Sequence, residues 1–254
     1  MNESVPTKPA ATVLLVRDGK SGLEVFMVVR HHQIDFASGA LVFPGGKVEE
    51  DDYVIAADPA RCGATGDLDP TARALRVAAL RETFEECGVL LARPRGGSAL
   101  LDGQRCADIT AKSAGRSFAA MLDAEDLELA LDTLTPFAHW VTPPIMPKRF
   151  DTHFYVVAAP EDQIAMHDGS ESVDSIWLNP AEGLAAAKAG KYTVLLPTRL
   201  NLQMLGESPD VASALAAARA RKIVTVEPVA VKDGKSFSLT IPLEAGYGGP
   251  TFSM

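Results

Sequence analysis

Cysteine is scarce: Cys62, Cys87 and Cys106 are the whole set, and no two form a CxxC pair. An odd, unpatterned trio excludes a disulfide framework, makes a zinc site unexpected, and fits a reducing cytoplasm. Basic runs are also absent. Lys and Arg number 24 against 33 Asp and Glu, a net charge of −9, and no basic helix offsets it. General binding to nucleic acid or to a membrane surface is therefore not expected. An anionic small substrate is not excluded, because a cation and a few local Arg or Lys residues can set the field at a site. No apolar stretch reaches membrane length, and Met1–Ala10 lacks a basic segment followed by an apolar run, so neither a span nor an export leader is expected. Internal repeats and low-complexity linkers are missing too.

What is present can build a large core. Of 254 residues, 47% are hydrophobic and 22% charged, which allows one large domain or two small ones. Thr12–Val16 and Leu23–Val29 are β-rich and flank Arg17-Asp18-Gly19-Lys20-Ser21-Gly22, which predicts a hairpin. Leu41-Val42-Phe43 reads as a strand stopping at Pro44-Gly45-Gly46, and Tyr53–Ala57 as partly helical. Arg93–Gly97 reads as a loop, and Gly103–Leu131 as one or two helices carrying Phe118, Met121 and Leu122. Leu134–Thr142, Arg149–Ala158 and Ser175–Leu178 read as strands. Asn179-Pro180 caps a helix through Lys188, helices follow at Pro197–Leu205 and Pro209–Arg221, and strands at Ile223–Val226 and Phe237–Ile241 finish the chain. Helices packed on a mixed sheet, an α/β (α+β) sandwich, fit this order.

One segment gathers unusual charge. Arg81, Glu82, Glu85 and Glu86 lie within six residues of a helix that opens with Asp69-Pro70 as N-cap and first position and closes at Gly88. At about 100° per residue, Val77, Leu80, Phe84 and Cys87 share one side. Glu82, Glu85 and Glu86, spaced i, i+3 and i+4, converge on another. Carboxylates that close repel one another and raise each other's pKa values. A hard divalent cation with oxygen ligands, Mg2+ or Mn2+, removes that cost. Arg81, one turn before Glu85, can pair with it. The plainer alternative is a solvated helix face carrying one Arg–Glu pair.

Gly46, five residues, Asp52 and, after a gap, Arg81-Glu82-Thr83-Phe84-Glu85-Glu86-Cys87-Gly88-Val89 resemble the Nudix box, whose pattern is G, five residues, E, seven residues, then R-E-U-x-E-E-x-G-U. The chain departs from it in three ways. Asp52 replaces the first glutamate, Thr83 stands at an aliphatic position, and 28 residues rather than seven separate Asp52 from Arg81. Counting Ala74–Leu80 as the usual seven leaves about 53–73 as an insertion, within a loop where added length costs little. Leu41-Val42-Phe43-Pro44-Gly45-Gly46-Lys47-Val48, Arg149-Phe150-Asp151-Thr152-His153-Phe154-Tyr155 and Glu171…Trp177-Leu178-Asn179-Pro180-Ala181-Glu182 are similar to flanking parts of Nudix domains. The insertion, the RFDT strand and Leu196-Pro197-Thr198 resemble more narrowly the branch of coenzyme A diphosphatases.

The resemblance, over about Ala11–Leu205, implies a Nudix-like α/β/α sandwich in one domain, with an extension from about residue 206. It implies Glu82 and Glu86 as direct metal ligands, Glu85 direct or through water, and a carbonyl from Gly45 or Gly46. It implies a general base beyond the box, for which Glu171 fits best by its distance from Trp177, with Asp168 and Asp174 behind it. Arg30, Lys148 and Arg149 end or begin strands near the expected cleft and are candidate phosphate contacts. His31, His32 and Phe36 are candidates to meet a base or a pantetheine arm, whereas Trp140 fits core packing better. The implied activity is cleavage of a nucleoside diphosphate derivative, with coenzyme A or acyl-CoA ahead of ADP-ribose or NADH. A Nudix-fold module that senses nucleotides without cleaving them is the alternative of a different class. The insertion and the tail from Ile223 are open to a homodimer contact or a substrate lid.

Overall fold

The computed structural model describes residues 5–30, 39–63, 66–163, 165, 172–233 and 236–253. Strands β1 (Lys8–Gly19) and β2 (Gly22–Arg30) form the expected hairpin, closing at the Gly19–Gly22 pair. They pair only from Val16 to Gly19, and beyond that each takes a different neighbour. Strand β3 (Leu41–Val42) pairs with Val28 and Val29 of β2, and β4 (Gly45–Lys47) pairs with Ala10–Thr12 of β1. The segment Pro44-Gly45-Gly46 therefore does not merely stop a strand, as expected. It continues as backbone zipped onto β1, with Val13 N–H donating to Pro44 O at 2.9 Å and Val48 N–H to Pro9 O at 2.9 Å.

Three helices follow: α1 (Glu50–Ala56), α2 (Pro59–Cys62) and α3 (Pro70–Cys87). Helix α3 has the ends its sequence predicts. The Asp69 side chain accepts from Ala72 N–H, Pro70 fills the first position, and Gly88 adopts the left-handed conformation at φ +69°. Helix α1 starts earlier than Tyr53, because Glu49 and Asp52 form a reciprocal capping box. Next come β5 (Ala92–Pro94), α4 (Gly103–Lys112), α5 (Phe118–Ala124) and β6 (Leu127–Leu129). Expected as part of a loop, Arg93 and Pro94 instead pair antiparallel with Glu128 and Leu127.

Strands β7 (Thr135–Val141) and β8 (Phe150–Ala158) carry the sheet onward, β8 running parallel to β1 from Lys8 to Val16. Strand β9 (Ser172–Leu178) pairs with the free edge of β2, and Asn179 caps α6 (Pro180–Lys188). Helices α7 (Leu196–Leu205) and α8 (Val211–Ala220) precede β10 (Thr225–Val226), which joins β7. The strands β11 (Val229–Asp233), β12 (Ser236–Thr240) and β13 (Thr251–Ser253) form a small separate sheet, of which only β12 was expected.

Both faces of the main sheet are covered, giving an α/β/α sandwich. Alternate residues of β1 point opposite ways. Ala11, Val13 and Leu15 meet Leu75, Ala78 and Leu80 of α3, whereas Leu14 and Val16 join Leu200, Leu205 and Ala218 on the other side. Buried on both faces, β1 is the rigid centre from which the site is hung. Trp140 is core, as expected, and its Nε1–H donates to the Tyr247 hydroxyl at 3.1 Å, which donates to Asn201 Oδ1 at 2.7 Å. Among the described residues, no helix is long and apolar enough to cross a membrane.

Candidate active site

The site is assembled where β4 passes between β1 and α3. At φ +153°, a Cβ on Gly45 would run into the Ala11 carbonyl oxygen, and a Cβ on Gly46 would overlap the Glu82 carboxylate. Close approach, rather than a turn, is why two glycines stand here. Gly46 itself does not have a positive φ, so alanine fits its backbone but not its surroundings. Gly46→Ala is expected to keep the fold and push Glu82 aside. A displacement of about 1 Å costs on the order of 100-fold in kcat/KM; thermal melting alongside steady-state kinetics checks this.

Glu86 and Glu82 reach the glycine strand, whereas Glu85 lies against Arg81; among the described residues the three carboxylates do not close into a cluster within 4.8 Å, the tighter convergence that the helical spacing predicts. The Gly45 N–H donates to Glu86 Oε2 at 2.8 Å, which fixes one carboxylate against the glycine strand. Arg81 holds the others. Its Nη1 donates to Glu82 Oε1 at 2.9 Å and to Glu85 Oε2 at 2.8 Å. The sequence offered only Glu85 as its partner. The main one is Asp52, fully buried in α1, whose carboxylate takes Nε at 2.9 Å and Nη2 at 3.0 Å in a fork-to-fork pair. The Lys47 carbonyl accepts from Nη2 as well, at 3.0 Å. Asp52, a departure from the family's first glutamate in sequence, thus anchors the arginine that orients two of the acids.

Burial alone would lower the Arg81 pKa; hydrogen bonds to Asp52 and the charges of Glu82, Asp52 and Glu85 reverse this and raise it well above the ordinary value. Partial burial pushes the Glu85 carboxyl up, against the pull of Arg81, and Glu49 and Asp52 push it further the same way. One guanidinium serves three carboxylates here, those of Asp52, Glu82 and Glu85. Glu82, Glu85 and Glu86 offer only oxygen donors, the donor type that a hard divalent cation takes. Thr83 stands at the aliphatic position of the box and is fully buried. Its hydroxyl donates to the Ala79 carbonyl at 2.7 Å, so it packs without an unpaired polar group.

The other sequence candidates scatter. Arg149 was offered as a phosphate contact, but it is a buried strut instead. Its guanidinium donates to Thr142 O at 2.9 Å, Val5 O at 2.8 Å and Glu227 Oε1 at 2.6 Å, tying the start of β8 to the residue Val5 ahead of β1 and to the segment after β10. Lys148 beside it is exposed. Arg30 ends β2 opposite Ser172. His31, His32, Phe36, Asp168 and Glu171 lie outside the described residues. Asp174 sits on β9, opposite Val29, and its carboxylate accepts from the Ser175 N–H at 2.8 Å. A cavity of about 290 Å3 lined by Phe137, Met204 and Arg221 opens on the opposite face of the sheet from α3 and takes no part in this site.

The model of the NUDT19 Nudix domain matches residues 56–203. A solved structure of a NUDIX hydrolase from Alicyclobacillus acidocaldarius is 31% identical, covers 84% of this chain and 96% of its own, and superposes with a TM-score of 0.66. Among curated proteins, putative nudix hydrolase 7 of Caenorhabditis elegans is 27% identical over 80% of this chain. Acyl-coenzyme A diphosphatase NUDT19 of Xenopus laevis is 24% identical over 74% of it. The chain spans 62% and 61% of the lengths of these two relatives. With the family model covering more than half of the chain and the box residues drawn together around β4 and α3, this protein belongs to the Nudix family.

Proposed function

We propose that this protein is a Mg2+- or Mn2+-dependent pyrophosphohydrolase that cleaves the diphosphate of a nucleoside diphosphate derivative, with coenzyme A or acyl-CoA as substrate. The observation that carries the reading is the placement of Glu82 and Glu86 against the glycine strand, with Arg81 pairing Glu82 and Glu85 beside them. Support for the substrate comes from the NUDT19 family match and from the Xenopus relative, which is named as an acyl-coenzyme A diphosphatase.

A bound divalent cation would neutralise charge on the diphosphate oxygens and make water acidic enough to attack phosphorus. The chain's own residues do the positioning. Asp52 fixes Arg81, Arg81 aims Glu82 and Glu85, and the Gly45 N–H aims Glu86, so the acids are arranged before substrate arrives. The absence of side chains at Gly45 and Gly46 lets the phosphates approach the backbone, where a glycine carbonyl adds a further oxygen. Glu171 serves as general base, taking the proton from the attacking water. One water is consumed, an oxygen–phosphorus bond forms and the bridging one breaks, and coenzyme A yields 3′,5′-ADP and phosphopantetheine.

The test is a panel of coenzyme A, acetyl-CoA, ADP-ribose, NADH and diadenosine polyphosphates, each with Mg2+ or Mn2+, with phosphate-bearing products identified. The expected result is that coenzyme A or acetyl-CoA gives the highest kcat/KM. Preference for ADP-ribose or NADH would replace the substrate assignment. Tight nucleotide binding without turnover of any compound would overturn the enzymatic reading in favour of a sensing module.

A further inference from the structure

We infer that His139, Asp151 and His153 form a binding site for one divalent transition metal that prefers imidazole ligands, in the chemical class of Zn2+ and Co2+, separate from the glutamates of α3. Strand register brings the three together. His139 of β7 lies directly opposite His153 of β8, so both point to one face. Asp151, two residues before His153, points the same way.

The ligand atoms converge. His139 Nε2 lies 2.5 Å from Asp151 Oδ1, His153 Nε2 lies 3.7 Å from the same oxygen, and the two rings stack with centroids 4.1 Å apart. One potential ligand atom from each residue falls within 4.8 Å of the other two. A cation with bonds of about 2.0–2.2 Å would draw such a set together through small side-chain rotations.

The surroundings favour metal over a simple His–Asp ion pair. His139 Nδ1 lies 2.8 Å from Thr225 Oγ1 on β10, which ties down the ring and leaves Nε2 for the site. Metal-bound histidines commonly have such an outer partner on the second nitrogen. A lone ion pair would need only one histidine, yet a second aims at the same carboxylate oxygen. Side-chain exposures of 19% for His139, 39% for Asp151 and 35% for His153 give a cation a way in. Behind them Trp140, Phe154 and Val156 are buried and hold the two strands firmly. Two imidazoles and one carboxylate select Zn2+, Co2+ or Ni2+ over Mg2+, and three protein ligands leave room for water or an anionic oxygen.

His153 and Gly46 are both in register with Ala11, on its two sides. Two strand spacings, roughly 10 Å, therefore separate this cluster from the glycine strand on the same face of the sheet. Thiolate scarcity has no bearing on a site built from imidazole and carboxylate.

The experiment uses the full chain stripped of metal, with excess Mg2+ present to occupy hard-oxygen sites. Co2+ is titrated by visible absorption and Zn2+ by calorimetry. One equivalent of Co2+ with ligand-field bands is expected, unchanged in Glu82→Gln/Glu86→Gln. His139→Gln and His153→Gln abolish the bands, and Thr225→Val weakens binding about 10-fold. If one histidine variant fails to fold, the other and Asp151→Asn carry the same test. Bands absent from the wild-type protein, persisting without either histidine, or lost with the glutamates would overturn the assignment.

Discussion

Glu86→Gln is expected to lower kcat by about 10^3-fold while leaving the melting temperature within a degree or two of wild type. The substitution removes a ligand charge and changes almost no volume. The amide oxygen of glutamine can still accept from the Gly45 N–H that now meets Glu86 Oε2 at 2.8 Å, so β4 stays docked. What is lost is cation affinity and charge compensation at the diphosphate, on the order of several kcal/mol. At 1.36 kcal/mol per factor of ten, about 4 kcal/mol gives the stated loss. Turnover assays at saturating Mg2+ and Mn2+, with thermal melting on the same samples, check both halves. Wild-type turnover in a folded variant would remove Glu86 from the metal-binding set.

Asp52→Ala has the opposite signature, a large cost in stability. Asp52 is fully buried and accepts two hydrogen bonds from Arg81 and one from the Glu49 N–H, at 2.8 Å. Removing Asp52 leaves the buried Nε without its acceptor while Nη1 keeps Glu82 and Glu85, and losses from breaking a buried pair run to about 3–5 kcal/mol. For a chain of this size that lowers the melting temperature by roughly 10 °C. Replacing both partners by apolar groups of similar bulk removes the unmet buried Nε, and the charges given up by Arg81 are then those of the more exposed Glu82 and Glu85. Asp52→Leu/Arg81→Met should therefore regain much of the stability. The double variant stays inactive, because Glu82 and Glu85 lose the group that aims them. Chemical denaturation of both variants, with activity measured in parallel, separates the two effects. A stable Asp52→Ala protein would mean that Arg81 does not need its buried partner.

Local chemistry explains which parts of this were readable in sequence. The ends of α3 were visible because Asp69-Pro70 and Gly88 act within one turn of the helix they bound. Asn179-Pro180 marked α6 for the same reason. The acidic spacing on α3 needed only the helical period. Contacts across long separations were not visible. Asp52 and Arg81 are 29 positions apart on different helices, so the sequence offered Glu85, one turn away, and missed the stronger partner. Arg93 and Pro94 sit beside Arg95, Gly96 and Gly97, which read as a loop until Leu127–Leu129 arrives as a pairing strand. Arg149 looked available for phosphate because nothing nearby in sequence reveals Val5 and Glu227 closing over it. The His139, Asp151 and His153 cluster depends on strand register. The one hint in sequence was the alternation of Asp151 and His153 along β8.

The most direct test of the central claim is Mn2+ binding to the glutamates themselves, followed by electron paramagnetic resonance. Protein carrying His153→Gln removes the imidazole cluster from the count. Adding Glu82→Gln/Glu86→Gln to it should leave a folded protein in which the bound Mn2+ is lost. Equal Mn2+ binding with and without the two glutamates would contradict the account.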